Sequence, residues 1–249
     1  MICVKSQKEI SLMRKAGIIA SEVLELMEKS IVPGITTAEL DRLARECIKS
    51  HGATPSFLNY RGFPASVCAS VNDVVIHGIP SKKQVIREGD IVSIDVGVYK
   101  DGFHADCART FGAGKISSEA QKLIDVTKQS FFEGIAHAKA GERLSNISNA
   151  VQTHVEENGF SVVRDFVGHG VGAQLHEDPS IPNFGAPGRG PRLYPGMTLA
   201  IEPMVNAGKR EVYVADDGWT TYTKDHSLSA HYENTILITD NEPMILTIR

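Results

Sequence analysis

Two aspartates lie on neighbouring apolar runs at a spacing that a β-hairpin would bring together. Asp95 lies within IVSIDVGV, and Asp106 follows eleven residues later, beyond the turn expected at Lys100-Asp101-Gly102. Buried carboxylates that lie side by side repel each other, so such a pair shares a proton or holds cations. Asp95 alone has an equally good structural interpretation, as a strand-end residue that binds backbone or an arginine.

Two glutamates extend the pattern. Glu202 follows the apolar run MTLAI and directly precedes Pro203, and Glu233 lies in HYENTILI, where polar and apolar residues alternate as in a strand. Each glutamate alone is compatible with a solvated strand face. Four acids at the edges of apolar strands, without a matching basic cluster, instead favour bound cations, because unpaired buried charges are costly.

Histidines complete a candidate ligand set. His169 and His176 occur in GHGVGAQLHEDP, whose glycines argue against a helical HExxH motif. One neutral imidazole with four carboxylates suits manganese, iron, cobalt or zinc, and the sequence does not choose among them. His77 follows VVI and occupies the position in the first half that His169 occupies in the second. His231 is next to the strand of Glu233 and has the simpler interpretation that it lines the site by adjacency.

Helices and strands of recognisable pattern position these residues. Periodic apolar residues predict helices over 8–28, 38–50, 118–138 and 144–158, with Thr36 and Thr37 offering cap hydroxyls to the second. Runs bounded by Gly, Pro, Asn or Asp predict strands, and the Pro/Gly-rich stretch 182–196 predicts a surface loop. The strands are expected in SVCASVNDVVIHGI, GDIVSIDVGVYKDGFHADCARTF, GMTLAIEPMV, VYVADDGWTTYT and HYENTILIT.

The order of elements repeats along the chain. His77-Gly78-Ile79 is similar to His169-Gly170-Val171, and GDIVSID (89–95) is similar to GMTLAIE (196–202). This self-similarity predicts one domain over residues 1–249, with duplicated α/β halves of about 1–111 and 112–249. The site is expected between the halves.

Composition excludes several functional classes. The 249 residues are 42% hydrophobic and 22% charged, with a net charge of -4 and no long basic run, which argues against nucleic acid as a partner. No stretch approaches the roughly 18 apolar residues of a membrane span. Four cysteines without CxxC spacing predict neither disulfides nor a structural zinc site, so we expect a cytoplasmic protein.

Six segments together resemble the type I methionine aminopeptidases, in a compact bacterial form, over essentially the whole chain. The resemblance implies an α+β pita-bread fold, in which two pseudo-symmetric α/β halves surround a central antiparallel sheet. The segments are VVIHGIP (74–80), GDIVSIDVGVYKDGFHADCARTF (89–111), VGHGVGAQLHEDP (167–179), GMTLAIEPMVNAG (196–208), DGWT (217–220) and HYENTI (231–236).

The resemblance assigns the ligands of two divalent ions, which would be cobalt, manganese, iron or zinc. Asp95 would bind one ion, and His169 and Glu202 the other. Asp106 and Glu233 would bridge both ions. A bridging water activated by the ions would then attack the peptide carbonyl.

The same resemblance implies catalytic and substrate-binding residues. His77 would contact the substrate near the scissile amide, His176 would stabilise the tetrahedral intermediate, and Glu202 would shuttle a proton. An apolar pocket for the methionine side chain would be lined by Tyr60, Phe63, Cys68, Leu175 and Trp219. In two places the chain departs from the family: Leu175 stands where an aromatic residue is common, and Asn234 where histidine is frequent.

The implied activity is removal of the initiator methionine from peptides and nascent chains, preferably before a small second residue. A monomer that associates transiently with the ribosome is expected. One rival is a proline-directed peptidase of the same fold, such as a prolidase or aminopeptidase P, although those relatives usually carry an extra N-terminal domain. The other is a binding protein at the ribosome without catalysis, against which the intact ligands and histidines argue.

Overall fold

The computed structural model describes residues 2–249, and within this range the chain forms a mixed α and β structure. The four α-helices are α1 (Gln7–Ser30), α2 (Thr37–Ser50), α3 (Ser118–Ile135) and α4 (Leu144–Glu157). The fifteen strands are β1 (Thr54–Pro55), β2 (Cys68–Val71), β3 (Val74–Ile76), β4 (Ile91–Lys100), β5 (Phe103–Gly112), β6 (Ser161–Val162), β7 (Gly168–Gly170), β8 (Glu177–Ile181), β9 (Thr198–Ile201), β10 (Met204–Asn206), β11 (Val212–Val214), β12 (Thr221–Thr223), β13 (Ser229–His231), β14 (Glu233–Leu237) and β15 (Met244–Ile245).

Side-chain caps mark the starts of α1 and α2. Ser6 and Glu9 form a reciprocal capping box at the start of α1, which satisfies two backbone donors of the first turn. Thr36 accepts from the Glu39 backbone amide at 3.2 Å, which confirms it as the cap of α2, whereas the Thr37 hydroxyl bonds to the Ser81 backbone instead. Helix α3 ends at Ile135, three residues before the predicted end, because a turn replaces its last helical residues.

A central antiparallel sheet dominates the molecule. Nine strands form it in the order β1-β4-β5-β14-β9-β7-β8, with β2 added beside β4 and β15 beside β14. The predicted hairpin is confirmed, since β4 and β5 pair from Ile91 opposite Gly112 to Lys100 opposite Phe103. Asp101 and Gly102 both have positive φ, the geometry that a tight two-residue hairpin turn favours.

The helices cover one face of this sheet. Helices α1 and α2 pack on β2, β4 and β5, where Val92, Ile94 and Val96 point towards them. Helices α3 and α4 pack on β8, β9 and β14, whose contributions include Leu199 and Ile236. Side chains alternate between the faces of a strand, so the residues between these apolar positions point away from the helices.

Two small sheets flank the central one. Strands β6, β10 and β13 form the first, and β3, β11 and β12 the second. No helix within residues 2–249 combines the length and the apolar character needed to cross a membrane. The proposed division of the domain into halves near residues 111 and 112 stays a prediction.

Candidate metal centre

Three of the predicted carboxylate ligands, Asp95, Asp106 and Glu233, lie on the sheet face that the helices leave uncovered. In the strand pairing Asp95 lies opposite Ala108, and Ala108 lies opposite Glu233, so these three residues form one row across β4, β5 and β14. Directly opposed residues of an antiparallel pair project to the same face. Asp106 is two residues from Ala108 on β5 and therefore shares that face.

The predicted ligands His169 and Glu202 reach the same face through the same alternation of side chains along the strands. Ala200 lies opposite both Thr235 and His169, which places all three on one face. Thr235 is two residues beyond Glu233, and Glu202 is two residues beyond Ala200. All five predicted ligands thus share one face, while the intervening apolar residues pack under the helices.

Interatomic distances confirm that these side chains converge. One ligand atom each from Asp106, His169 and Glu233 lie within 4.8 Å of one another, and all three residues are buried. The Nε2 atom of His169 lies 3.6 Å from Oε1 of Glu202 and 4.0 Å from Oδ2 of Asp106. Asp95 lies outside the group of three and lines the same pocket together with Glu202.

The carboxylates lack the partners that buried charges require. Asp95 Oδ1, Asp106 Oδ1 and Glu233 Oε1 are buried with no hydrogen-bond donor in residues 2–249. Burial raises the pKa of Asp106 to about 7, and burial followed by repulsion from neighbouring carboxylates raises the pKa of Asp95 and of Glu233 well above the usual range. Oxygen-rich donors of this kind fit a divalent cation, which would supply the missing positive charge.

His169 is held in the tautomer that a metal ligand needs. Its Nδ1 lies 2.8 Å from the carbonyl oxygen of Gly170, which can only accept a hydrogen bond. Nδ1 therefore carries the proton. Burial lowers the pKa of His169, so the ring is neutral and Nε2 presents its lone pair to the carboxylates.

Two residues that the sequence analysis did not identify, Thr235 and Asn183, form hydrogen bonds to the backbone of predicted ligands. The Thr235 hydroxyl accepts from the Asp106 backbone amide at 2.9 Å and contacts the Asp106 carbonyl at the same distance. Asn183, which is fully buried, donates to the Glu202 carbonyl at 3.0 Å. The two-residue spacing from Glu233 could have indicated Thr235, whereas no local signal points to Asn183.

Asn234, a departure from the family pattern, lies behind the carboxylates. Because it follows Glu233 on the strand, its side chain projects to the opposite face. Its Oδ1 accepts from Arg109 at 2.7 Å and from Thr247 at 2.9 Å, and Arg109 also donates to the Glu233 carbonyl at 2.5 Å. The asparagine thus helps to hold Arg109 against the backbone of a predicted ligand.

The two catalytic histidines predicted by the resemblance stand at the pocket beside the carboxylates. His77 has a φ of 59°, and its ring makes edge contacts with Phe166 and Trp219. Burial lowers the pKa of His77 to about 4, so the ring is neutral. The next residue is a glycine because a Cβ at position 78 would lie 2.4 Å from the Ala69 carbonyl oxygen.

His176 is tied to Tyr60 on the other side of the pocket. Its Nδ1 lies 2.9 Å from the Tyr60 hydroxyl, and the two rings stack with centroids 5.3 Å apart. Its ring centroid is 4.1 Å from that of His169. Desolvation lowers the pKa of His176 to about 3, although part of its ring faces the open cavity.

An apolar cluster adjoins the carboxylates. All of the residues expected to hold a methionine side chain belong to it and line the pocket: Tyr60, Phe63, Cys68, Leu175 and Trp219. Leu175 is 2% exposed, so this departure from the family supplies an aliphatic wall. The pocket also takes in Phe57, Arg61, Ile76, Phe166 and Val167, which the sequence did not single out.

The chain is similar to known peptidases over its full length. The model of metallopeptidase family M24 matches residues 11–240. A methionine aminopeptidase from Clostridium perfringens is 60% identical over 248 residues, covering 100% of this chain and 99% of the relative. The crystal structure of methionine aminopeptidase from Thermotoga maritima superposes with a TM-score of 0.99 at 46% identity, covering 100% of both chains.

A more distant structure shares the fold. A prolidase from Pyrococcus furiosus superposes with a TM-score of 0.79 at 23% identity, covering 99% of this chain and 65% of that chain. This likeness shows the architecture alone. The expected pita-bread fold is confirmed by both structural likenesses. The chain therefore belongs to metallopeptidase family M24 and, within that family, to the methionine aminopeptidases.

Proposed function

We propose that the protein hydrolyses the peptide bond after an N-terminal methionine, with divalent metal held by Asp95, Asp106, His169, Glu202 and Glu233. One observation carries this proposal above the others: buried carboxylates without hydrogen-bond partners face an apolar pocket that has room for a side chain. Two ions of 2+ charge would offset the four carboxylates. When bound, such ions lower the pKa of a water molecule and polarise a carbonyl group.

His176 supports the developing negative charge on the carbonyl oxygen. A Tyr60 hydroxyl that donates to Nδ1 leaves the proton of the neutral ring on Nε2, on the opposite side of the imidazole. That N–H is then available as a fixed donor to the carbonyl oxygen of the scissile bond. Preorganised donors of this kind account for much of the rate enhancement in acyl transfer.

Glu202 is placed to move protons. It borders the cavity and keeps part of its side chain exposed, whereas Asp106 and Glu233 are more deeply buried. In the metal-free chain, burial followed by repulsion from Asp106 raises the pKa of Glu202 well above the usual range. Bound divalent ions would favour its ionised form, which could take a proton from water and return it to the leaving amine.

Selectivity for the first residue follows from the character of the pocket. The apolar cluster around Phe63, Cys68 and Leu175 lies beside the acidic centre, so a residue whose side chain fills the cluster has its own amine near the carboxylates. A free amine there could complete the coordination of a bound ion, whereas an internal peptide group could not. An unbranched thioether fits an irregular apolar lining of this kind.

The decisive experiment is release of methionine from Met-Ala-Ser by metal-stripped protein titrated with manganese, iron, cobalt or zinc. Metal-dependent release that is lost in Asp106→Ala supports the proposal. If ions bind but no metal restores release, methionine removal is wrong, and cleavage of an Xaa-Pro peptide would then identify the proline-directed alternative.

Finer features of the function stay predictions. A second residue that is small should be preferred, which a comparison of Met-Ala-Ser with Met-Leu-Ser tests directly. Action on new polypeptides would place the protein in the cytoplasm, with transient ribosome association and a monomeric state. Co-sedimentation with ribosomes and light scattering measure the last two properties.

A further inference from the structure

Arg61 stands apart from every other residue of the pocket wall. Within residues 2–249 it is the one lysine or arginine that lines the cavity, and its side chain is exposed at the mouth. No carboxylate of the described chain lies within ion-pair distance of it. Its guanidinium lies 5.4 Å from the centroid of the Tyr60 ring, which orients the group without neutralising it.

The backbone at Arg61 is held in a conformation that arginine rarely adopts. Its φ is 51°, in the left-handed region that glycine and asparagine tolerate best. The tight turn around it is closed by the Asn59 amide donating to the Phe63 carbonyl at 2.8 Å, and by the Phe63 amide donating to the Tyr60 carbonyl at 3.0 Å. An arginine in a strained backbone conformation on a pocket wall motivates the hypothesis that its charge has a use there.

The turn also places this charge beside the reacting end of the pocket. Tyr60 precedes Arg61 and contacts His176, the predicted donor to the scissile carbonyl. If His176 donates to the scissile carbonyl, the part of the peptide beyond that bond would leave the cavity past Arg61, which is exposed at its mouth.

Once the charges of the metal centre are balanced, Arg61 carries the remaining charge at the mouth of the cavity. In the metal-loaded protein, two divalent ions would offset the four carboxylates, and the pocket histidines are neutral. The positive charge of Arg61 then has no counterpart, so it attracts an anionic group on the substrate.

We propose that Arg61 binds a carboxylate on the third residue of the substrate, so that peptides beginning Met-Xaa-Glu or Met-Xaa-Asp are preferred. The inference rests on the proposed function. In an extended peptide alternate side chains project to the same side, about 3.3 Å of chain per residue. With the methionine side chain in its pocket, the third side chain points to the same wall, and Tyr60 and Arg61 belong to that wall.

The test uses amidated pentapeptides of sequence Met-Ala-Xaa-Gly-Gly, where Xaa is Glu, Gln or Lys. Amidation removes the terminal carboxylate, which could otherwise reach Arg61. We expect kcat/KM in the order Glu, Gln, Lys, with about three- to tenfold between the extremes, chiefly in KM. Arg61→Asn keeps a residue that accepts positive φ and should abolish the order, whereas Arg61→Lys should retain part of it. Salt at about 0.5 M should also flatten the order in the wild-type protein.

The outcomes separate this inference from the proposed function. Equal rates for the three peptides, or an order that persists in Arg61→Asn, overturn the inference while methionine removal stands. A wild-type protein that releases methionine from none of the peptides overturns the proposed function and the inference with it. Faster cleavage of the free-acid peptides than of the amidated ones, equal for all three residues and lost in Arg61→Asn, would assign Arg61 to the terminal carboxylate, and the third-residue preference would be wrong.

Discussion

The metal centre and the substrate pocket are adjacent, yet they are positioned by different parts of the chain. The predicted ligands Asp95, Asp106 and Glu233 lie on long or central strands, so backbone pairing fixes which way they point. Part of the pocket wall instead lies in short turns and bends, at 57–63 and 172–176, that depend on individual side-chain contacts. Strand pairing therefore fixes the positions of the predicted ligands as a group. The shape of the substrate pocket, in contrast, can be altered by substituting single residues of its wall.

Asp106→Asn should have the largest effect, because it removes a buried charge from the centre of the ligand group while conserving shape. We expect the affinity for manganese, measured by titration calorimetry, to fall at least about a hundredfold. Asp101→Asn is the matched control, since Asp101 is exposed at the tip of the same hairpin. Similar metal affinities in both variants would remove Asp106 from the ligand set.

The stability of the metal-free protein should decrease as pH rises. Burial raises the pKa of Asp106 from 3.8 to about 7 and that of Glu202 and Glu233 well above their usual values. Raised acid pKa values mean that the folded chain holds protons that the unfolded chain releases, so this stabilisation is present below about pH 4 and lost through about pH 7. Melting temperatures between about pH 5 and pH 8 should fall, and saturating manganese should remove the decline. If the melting temperature of the metal-free protein did not change with pH, the carboxylates would not be buried and unpaired as the structure indicates.

Lys5→Met should lower the stability of the pocket wall and leave the metal affinity unchanged. Lys5 Nζ lies 2.5 Å from Glu177 Oε2, and the two side chains are 5% and 10% exposed. Glu177 Oε1 also accepts from the Gln174 amide at 3.1 Å, so the pair ties the N-terminal segment to the turn that carries His176. Breaking a buried ion pair costs about 3 kcal/mol or more, which chemical denaturation measures.

Two further variants sharpen the interpretation of Lys5. Lys15→Met, at an exposed pair with Asp101, should change the stability by less than about 1 kcal/mol. Lys5→Met combined with Glu177→Gln should recover part of the loss, because no buried charge is then left unpaired. A loss of metal affinity together with stability in Lys5→Met would show that the metal centre depends on the pocket wall, contrary to what their separate contacts indicate.

Tyr60→Phe should have the smallest effect and act on the rate. The variant keeps the stacked ring and loses the hydroxyl that contacts His176 Nδ1 at 2.9 Å. One hydrogen bond is worth about 1 kcal/mol, so kcat should fall about fivefold with KM nearly unchanged. Tyr213→Phe, at an exposed strand residue, serves as the control. A rise in KM at constant kcat would instead make Tyr60 a wall of the methionine pocket alone.

The sequence by itself determined which acidic and histidine side chains converge in the candidate metal centre and which elements carry them. Its alternation of apolar and acidic residues encodes the two faces of each strand, and the turn at Asp101-Gly102 encodes the hairpin that aligns Asp95 with Asp106. These are local patterns, which is why the predicted helix starts, the hairpin and the converging carboxylates appear in the structure. The three-residue overestimate of α3 shows that a helix end depends less on periodicity.

Only the tertiary structure decided how the ligands are held and how the pocket is shaped. The contact of Lys5 with Glu177 spans 172 residues, that of Tyr60 with His176 spans 116, and that of Asp106 with Thr235 spans 129. No spacing rule reaches across such distances, because these partners meet through the packing of separate elements. No pattern in the sequence singles out Arg61 either. Its interest as a binding residue comes from the tertiary structure, which places the turn around it at the mouth of an acidic pocket.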